Sequence, residues 1–338
     1  MVLISVHDAC MRRSPARLGL AALAIVLASG ATTGCGSEPG GSGTPEDPLQ
    51  VVASFYPLQW MAERVGGDRV AVSSLTKPGA EPHDLELTPR NVGAIQDADA
   101  VAFLSELQPA VDEAIVDATG EVFDAREAAD LVPLDPEQRA DAHDLEEAGH
   151  AEGDGHDHTD DYEVGATDPH FWLDPTRMAS VATAFGETLA VADPAHADEY
   201  RANARSVGDD LARLDRELRD GLADCEQPDL VTSHQAFGYL ADRYGFEQVG
   251  IAGISPDADP SPKELAAVAD FVEEHGVTTI YFETLASPAV ARALAEETGA
   301  DTAVLDPLEG LTDASKGSDY LEVMRSNLAT LRAGQDCS

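Results

Sequence analysis

Three histidines and one aspartate lie at comparable places in the sequence, each close to a segment that reads as a β-strand or a rigid loop. His83 lies in the loop after the second predicted strand, His234 directly follows LVTS, and Asp306 directly follows TAVL. His170 lies in TDPHFWLDP, between two Asp-Pro steps whose prolines restrict the backbone and hold the loop in one shape. Open α/β sheets bind ligands beyond the carboxyl ends of their strands. We therefore expect the four side chains to converge on one point.

Three imidazoles and one carboxylate form a ligand set for a metal ion. They can hold Zn2+ in a tetrahedral site that needs no thiolate. Imidazole also suits copper and nickel, whereas manganese prefers more oxygen ligands. Alternatives without metal remain open: His83 could be a surface loop histidine, His234 could contact the start of a helix, and Asp306 could be a turn residue before its proline.

A second group of histidines lies in an acidic tract just before the His170 loop. Residues 141–163 contain ten Asp and Glu residues and almost no large apolar side chain, so the tract cannot bury enough surface to order itself. Its histidines are His143, His150, His156 and His158. We expect this accessory loop, residues 137–166, to bind additional metal; the alternative is a solvated loop without function.

The chain is strongly acidic. Its 338 residues include 21 Lys and Arg against 63 Asp and Glu, a formal net charge of -42. Binding to nucleic-acid phosphates requires clustered Lys and Arg, so we expect no nucleic-acid partner. A solvated acidic surface accounts for most of this charge, and only the histidine-rich tract needs a further explanation.

The N-terminal segment reads as a targeting signal. Two arginines precede an apolar run over residues 18–28, which is too short to span a membrane and has the length of a signal-peptide core. The SGATTGCG that follows resembles a bacterial lipoprotein signal, in which Cys35 becomes the lipidated first residue; ordinary secretion is the alternative. We expect a signal peptide over residues 1–35, a flexible tether over 36–48, and an exported lipoprotein anchored to the outer face of the cell membrane.

Two cysteines, Cys225 and Cys337, follow Cys35 in the sequence. An even pair in an oxidising compartment predicts a disulfide bond. This bond would tie the C-terminal end to the second lobe. The alternative is two unpaired buried thiols.

Alternating strand and helix patterns occur on both sides of one long predicted helix, and such alternation predicts parallel strands with helical crossovers. Between about residues 194 and 222, apolar positions step by three and four, so one face of this helix packs against protein. We predict an α/β fold with two lobes, each with a central, mostly parallel sheet flanked by helices. The predicted boundaries are 49–191 for the N-terminal lobe, 192–224 for the long linking helix and 225–338 for the C-terminal lobe, with the metal in the interlobe cleft.

Four motifs, in this order, resemble one known family: GAEPHDLELTPR, DPHFWLDP, SHQAFGYLADRYGF and VLDPLEGL. They are similar to motifs of the zinc-binding solute receptors of bacterial metal ABC importers, the cluster A-I or ZnuA-like family. The resemblance covers residues 51–331. It implies that His83, His170 and His234 are the zinc-binding histidines.

The resemblance leaves the fourth ligand open. Asp306 matches the acidic position of the last lobe, which is a ligand in manganese relatives, but water or Glu81 could take its place. The manganese branch has a carboxylate where this chain has His234, so the resemblance favours zinc. The acidic, histidine-rich loop is also similar to that of zinc members.

The resemblance implies a monomeric receptor that captures Zn2+ as its transported ligand and delivers it to an ABC permease and its ATPase. It implies no enzymatic activity. One alternative is a manganese or broad divalent-metal receptor, or an adhesin, of the same fold. Another is a zinc hydrolase, which would need an open coordination position and a general base; the chain has no H-E-x-x-H motif to support it.

Overall fold

Each lobe of the protein is built on a parallel β-sheet. The computed structural model describes residues 47–134, 167–256 and 260–338, and the unit 47–338 is compact. The first sheet has the order β2-β1-β3-β4. Its strands are β1 (Leu49–Ala53), β2 (Val70–Ser74), β3 (Ala100–Phe103) and β4 (Glu121–Asp124).

The second sheet repeats this arrangement with the order β6-β5-β7-β8. Its strands are β5 (Asp229–Thr232), β6 (Glu247–Gly250), β7 (Thr279–Phe282) and β8 (Asp301–Val304). All the described strand pairs in both sheets are parallel. In each sheet the chain first moves to one side of its first strand and then to the other. This reversal opens a crevice at the carboxyl ends of the strands, where ligands of α/β proteins bind.

Helices cover the sheets and join the lobes. In the first lobe they are α1 (Tyr56–Gly66), α2 (Pro89–Asp97), α3 (Pro109–Ala114), α4 (Ala125–Ala129) and α5 (Pro175–Ala192). The linking helix α6 (Ala197–Gly221) leads to α7 (Gly238–Tyr244), α8 (Pro262–His275), α9 (Ala289–Thr298) and α10 (Tyr320–Gly334). Several begin with a proline in the first turn, where the missing N–H costs no hydrogen bond. The predicted fold class, with two α/β lobes and a long linking helix, is confirmed.

The linking helix packs one apolar face against the rest of the protein, as the sequence spacing predicts. The buried residues of this face include Tyr200, Ala204, Val207, Leu211, Leu214 and Leu218. The helix starts three residues later than predicted, because Pro194–His196 forms a 3-10 turn. Neighbouring α5 approaches so closely that a Cβ on Gly186 would lie 2.9 Å from the Cβ of Ala204.

The stretch between β3 and the accessory loop has three elements for which the sequence patterns predicted no structure: α3, β4 and α4. β4 is a four-residue strand at the edge of the first sheet and pairs only with β3 among the described strands. Its Val122 side chain is exposed, so the buried alternation by which a strand is recognised is absent. Short edge strands of this kind carry little sequence signal.

Hydrogen bonds from buried aromatic side chains tie the two lobes together. The Trp172 Nε1 donates to the carbonyl oxygen of Pro307 at 2.7 Å, and the Tyr320 hydroxyl donates to the carbonyl oxygen of Trp172 at 2.5 Å. The Tyr239 hydroxyl donates to the carbonyl oxygen of Asp168 at 2.8 Å. A wide separation of the lobes would break these bonds in a buried environment, where each lost partner is costly.

Several sequence predictions lie outside the described residues. They are the signal peptide, the lipidation site Cys35, most of the tether and the histidine-rich accessory loop with His143, His150, His156 and His158. Among the described residues, none of the helices has the length and apolarity that a membrane crossing requires.

The disulfide bond between Cys225 and Cys337 is present, which confirms the prediction. The cysteines are 112 residues apart in sequence. Backbone hydrogen bonds lie beside the bond, for example from Ser338 N to the carbonyl oxygen of Asp224 at 3.0 Å. The bond therefore fixes the C-terminal end of α10 beside the end of the linking helix.

We expect replacement of both cysteines by serine to destabilise the protein. A crosslink that closes a loop of this length lowers the entropy of the unfolded chain, and its loss should cost about 4 to 5 kcal/mol. Denaturant unfolding of the C225S/C337S variant measures this cost. A change below about 1 kcal/mol would contradict the prediction.

Candidate metal centre

Four side chains converge in the cleft between the lobes: His83, His170, His234 and Glu309. One ligand atom from each lies within 4.8 Å of all the others. The Glu309 Oε1 lies 3.2 Å from the Nε2 atoms of His170 and His234 and 3.4 Å from that of His83. One carboxylate oxygen is thus surrounded by three imidazole nitrogens.

Each lobe contributes two of these residues, all from loops. His83 lies between β2 and α2, and His170 immediately precedes a 3-10 turn, Phe171–Leu173. His234 follows β5 by two residues, and Glu309 follows β8 by five. Residues from the carboxyl ends of two sheets therefore meet between the lobes, as expected for this strand order.

The His83 loop is held by polar contacts to its backbone. The Glu81 carboxylate accepts a hydrogen bond from His83 N at 3.1 Å. The buried Gln108 side chain donates to the carbonyl oxygen of Pro82 at 3.0 Å and to the Thr76 hydroxyl at 3.1 Å. These contacts orient the segment on which His83 is carried.

Carboxylates orient the other two imidazole rings. The Nδ1 of His170 lies 2.7 Å from the Asp168 Oδ1, and that of His234 lies 2.5 Å from the Glu283 Oε1. Both contacts leave the Nε2 atoms directed toward Glu309. Carboxylate partners on the far nitrogen are typical of metal-binding histidines, because they set the tautomer and the ring orientation.

The site is almost completely shielded from water. His170, His234 and Glu309 have no exposed surface, and 11% of the His83 side chain is exposed. Three carboxylates, those of Asp168, Glu283 and Glu309, lie at or beside the centre. Buried charges of one sign require cations nearby, so either protons or a metal ion must balance them.

The carboxylates raise the pKa values of two rings. Burial lowers the pKa of His170, but the contacts with Asp168 and Glu309 outweigh this effect and raise it above the usual 6.5. Burial also lowers the pKa of His234, which Glu283 and Glu309 raise well above that value. Protons therefore stay on these rings to a higher pH than on a free imidazole.

The same contacts act on Glu309 in the opposite direction. Burial raises its pKa, but the charge of His234 and the imidazole hydrogen bonds hold the pKa well below its usual value. The Glu309 carboxylate is therefore ionised across the neutral range.

The atoms without hydrogen-bond partners support a metal ion at this point. The Glu309 Oε2 and His83 Nε2 atoms are buried and have no such partner among the residues that the structure describes. The three Nε2 to Oε1 distances of 3.2, 3.2 and 3.4 Å are close to the edge of about 3.3 Å of a tetrahedron with zinc bonds of about 2.0 Å, and the four ligand atoms as a group lie within 4.8 Å of one another. The donor set of three imidazoles and one carboxylate suits zinc.

The structure brings together three of the four residues of the predicted ligand set, His83, His170 and His234. Asp306 is not part of the group, since its carboxylate accepts hydrogen bonds from Leu308 N and the Ser315 hydroxyl. Glu81 contacts the backbone of the His83 loop and is also outside the group. Which residues bind the metal stays a prediction.

Sequence reasoning missed Glu309. We considered the acidic residue that directly follows the strand, which is Asp306, whereas Glu309 comes three residues later in the same motif, VLDPLEGL. The one sign of Glu309 in the sequence was that this motif contains a second carboxylate. Its position relative to the histidines depends on the course of the loop and could not be read from the spacing.

Comparisons with known proteins agree on one family. The chain matches the family model described as "Zinc-uptake complex component A periplasmic" over residues 51–334. It is 38% identical over 305 residues to the zinc-binding protein AdcA of Streptococcus pyogenes serotype M6, covering 86% of this chain and 57% of the relative. The chain therefore spans little more than half the length of that relative.

Two further similarities extend over nearly the whole of the other protein. The high-affinity zinc uptake system protein ZnuA of Bacillus subtilis is 34% identical over 320 residues, covering 93% of this chain and 96% of the relative. The structure of the laminin-binding protein Lmb of Streptococcus agalactiae, described as a bifunctional protein with adhesin and metal transporting activity, has a TM-score of 0.70 and 32% identity. The match covers 86% of this chain and 100% of Lmb.

We expect the metal-free protein to lose stability as the pH rises above about 6.5. The raised pKa values of His170 and His234 stabilise the fold fully below the pKa of an unfolded histidine, and this contribution is lost as the pH rises through the folded-state values. The Glu309→Gln variant should lose less stability over this range, because the rings then have one carboxylate fewer.

Urea unfolding in the presence of a chelator, at several pH values between about 6 and 8.5, measures this effect. Asp313→Asn is a matched control, since it removes one carboxylate from an exposed position in the loop before α10. Equal pH dependence in Glu309→Gln and the wild type would refute the prediction.

Proposed function

The chain belongs to the family of periplasmic zinc-uptake complex component A, and from this premise we propose that it captures Zn2+ outside the cytoplasm and delivers it to the permease and ATPase of an ABC importer. The observation that carries this proposal is the buried group of His83, His170, His234 and Glu309. AdcA and ZnuA, two of the relatives described above, bear names that refer to zinc binding or zinc uptake. These names and the ligand group support the same function.

Four protein side chains around one point favour capture over catalysis. Catalytic zinc sites use three protein ligands and keep a fourth position open for water or substrate. In the proposed site Glu309 takes the fourth position, and the support for this is that its Oε1 faces all three histidines. The family is a class of solute receptors and not of enzymes, so we propose no hydrolase activity.

The donor set favours zinc over manganese. Manganese prefers sites rich in oxygen, whereas three of the four candidate ligand atoms are imidazole nitrogens. His234 is the residue that decides this balance, because a carboxylate in its place would give two nitrogens and two oxygens. A manganese or broad divalent-metal receptor is therefore the weaker alternative.

An adhesin is also the weaker alternative, although Lmb carries that description. Adhesion to another protein requires an exposed surface with large anchoring side chains. The observed group is buried, so its geometry accounts for metal capture and contributes nothing to adhesion.

We propose that the protein acts at the outer face of the cell membrane as a lipid-anchored monomer. The signal-like N-terminus with Cys35 supports this location. The histidines of the accessory loop, His143, His150, His156 and His158, would bind further zinc ions with lower affinity than the buried group. All five residues lie outside the described part of the chain.

Calorimetric zinc titration tests the proposed capture site. We expect the wild type to show one tight site, and His234→Ala to lose it, with an affinity reduced by more than the roughly 10- to 100-fold that loss of an outer partner typically costs. A deletion of residues 141–163 should keep the tight site and lose only weaker binding.

His275→Ala is the matched control for His234→Ala, because this histidine lies on α8, outside the ligand group, and is 42% exposed. It should bind zinc as the wild type does. If His234→Ala retained the tight site, the converging histidines would not be the capture site, and the accessory loop would become the main candidate.

Zinc binding should release protons and weaken as the pH falls. The metal requires neutral imidazoles, and the pKa values of His170 and His234 lie above 6.5 in the metal-free protein. Competition between protons and zinc should therefore begin at a higher pH than for free imidazole. Calorimetry in buffers with different ionisation enthalpies counts the released protons. A zinc affinity independent of pH between about 6 and 8 would contradict this expectation.

A further inference from the structure

Unlike His170 and His234, Glu309 has no second carboxylate behind its side chain among the described residues. The His170 and His234 rings are each fixed by a carboxylate on Nδ1. The Glu309 Oε1 lies within hydrogen-bond distance of the His170 and His234 Nε2 atoms, and within the described part of the chain its Oε2 has no hydrogen-bond partner. These two contacts hold one oxygen of Glu309, and the backbone that carries the residue has to bring its carboxylate within their reach.

That backbone makes an unusual turn immediately before Glu309. Leu308 has a φ of 60°, in the left-handed region, which a leucine rarely adopts because its Cβ crowds the backbone. The Leu308 side chain is fully buried, so it packs in the core instead of relaxing toward solvent. Such a conformation persists only where surrounding contacts hold it.

Asp306 makes the contacts that hold this turn. Its Oδ1 accepts a hydrogen bond from Leu308 N at 2.9 Å, the two-residue pattern of an Asx turn. Its Oδ2 accepts from the Ser315 hydroxyl at 2.7 Å. The Asp306 side chain is buried, and both oxygens are engaged within the loop.

Neighbouring side chains fix the two peptide groups on either side of this carboxylate. The Asn327 amide donates to the carbonyl oxygen of Asp306 at 2.7 Å and accepts from Asp306 N at 3.0 Å. The Trp172 indole donates to the carbonyl oxygen of Pro307 at 2.7 Å. The backbone of all three residues before Glu309 is thus held by hydrogen bonds to side chains. The bond to Leu308, the residue in the left-handed conformation, comes from Asp306.

We propose that Asp306 is a positioning residue: its carboxylate stabilises the left-handed turn at Leu308 and thereby presents Glu309 to the three imidazoles. This inference rests on the proposed zinc site. It assigns Asp306 a role other than that of the metal ligand considered from the sequence. A ligand would turn an oxygen toward the metal, whereas both oxygens of Asp306 bind groups of its own loop.

Because the turn positions Glu309, its carboxylate is already in place when the metal binds. Without the turn, Glu309 would have to be ordered at the moment of binding, and three histidines with water would hold the ion meanwhile. We expect Asp306→Ala to bind zinc about 10- to 100-fold more weakly, the usual effect of losing an outer partner, and to release it faster.

Three variants separate positioning from ligation. Asp306→Asn keeps an oxygen that accepts from Leu308 N and gains an amide that can donate to the Ser315 hydroxyl, so it should bind zinc nearly as the wild type does. Glu309→Ala removes the ligand itself. Asp313→Ala removes the same charge from an exposed position nearby and is the control.

The measurements are zinc affinity by competition with a chelator, and the visible absorption of the Co2+-loaded protein, which reports the geometry and donors of the site. Asp306→Ala should shift the Co2+ spectrum toward that of Glu309→Ala, and Asp306→Asn should retain the wild-type spectrum. A loss of general stability would change neither the donors nor the spectrum of the folded fraction.

Three results would overturn the inference. The first is a wild-type zinc affinity and Co2+ spectrum in Asp306→Ala. The second is an Asp306→Asn variant that has native circular dichroism and loses zinc as fully as Glu309→Ala, because this would make Asp306 a ligand. If Asp306→Ala does not fold, Ser315→Ala takes its place: it should bind zinc more weakly than Asp313→Ala, and equal affinity would refute the proposal. Absence of tight zinc binding in the wild type would instead refute the proposed function.

Discussion

The structure depends on one buried interaction, that of the Glu309 carboxylate with three imidazoles. An ionised carboxylate without water is stable only among partners that offer protons or positive charge. Here three Nε2 atoms lie within 3.4 Å of one oxygen. Protons on His170 and His234 can supply that charge in the metal-free protein, and Zn2+ can supply it in the loaded one. Under the proposed function, zinc replaces protons as the positive charge around the Glu309 carboxylate.

The two-lobed fold brings the three imidazoles and the Glu309 carboxylate together from distant parts of the chain. Each sheet delivers loops at the carboxyl ends of its strands, and each lobe supplies two members of the group. The segment 168–172 lies where the lobes meet: Asp168 accepts from Tyr239, and Trp172 bonds to both Pro307 and Tyr320. Because the same segment carries His170, interlobe contact and ligand position are coupled.

The four residues of the centre differ in the hydrogen bonds that hold their side chains, and the difference affects how each can bind a metal. Two imidazoles have carboxylates behind them, which makes them more basic and better donors to zinc. Among the described residues Glu309 has no such partner, and we infer that the left-handed turn at Leu308 sets its position. His83, the one member with exposed surface, lies on a loop held through its backbone. The centre is thus built by three different means, each set by the local structure of its segment.

The sequence by itself determined the fold class, the linking helix, the disulfide and the three histidines as candidates. These follow from local patterns, since apolar periodicity and proline act within a few residues, and strand ends fall at predictable places. Only the tertiary structure decided between the two carboxylates of VLDPLEGL. Whether Asp306 or Glu309 faces the histidines depends on the left-handed turn at Leu308, whose N–H bonds to Asp306. Asp306 is itself held by Ser315 and Asn327, which come later in the chain. Such long-range contacts leave no trace in the spacing of the motif.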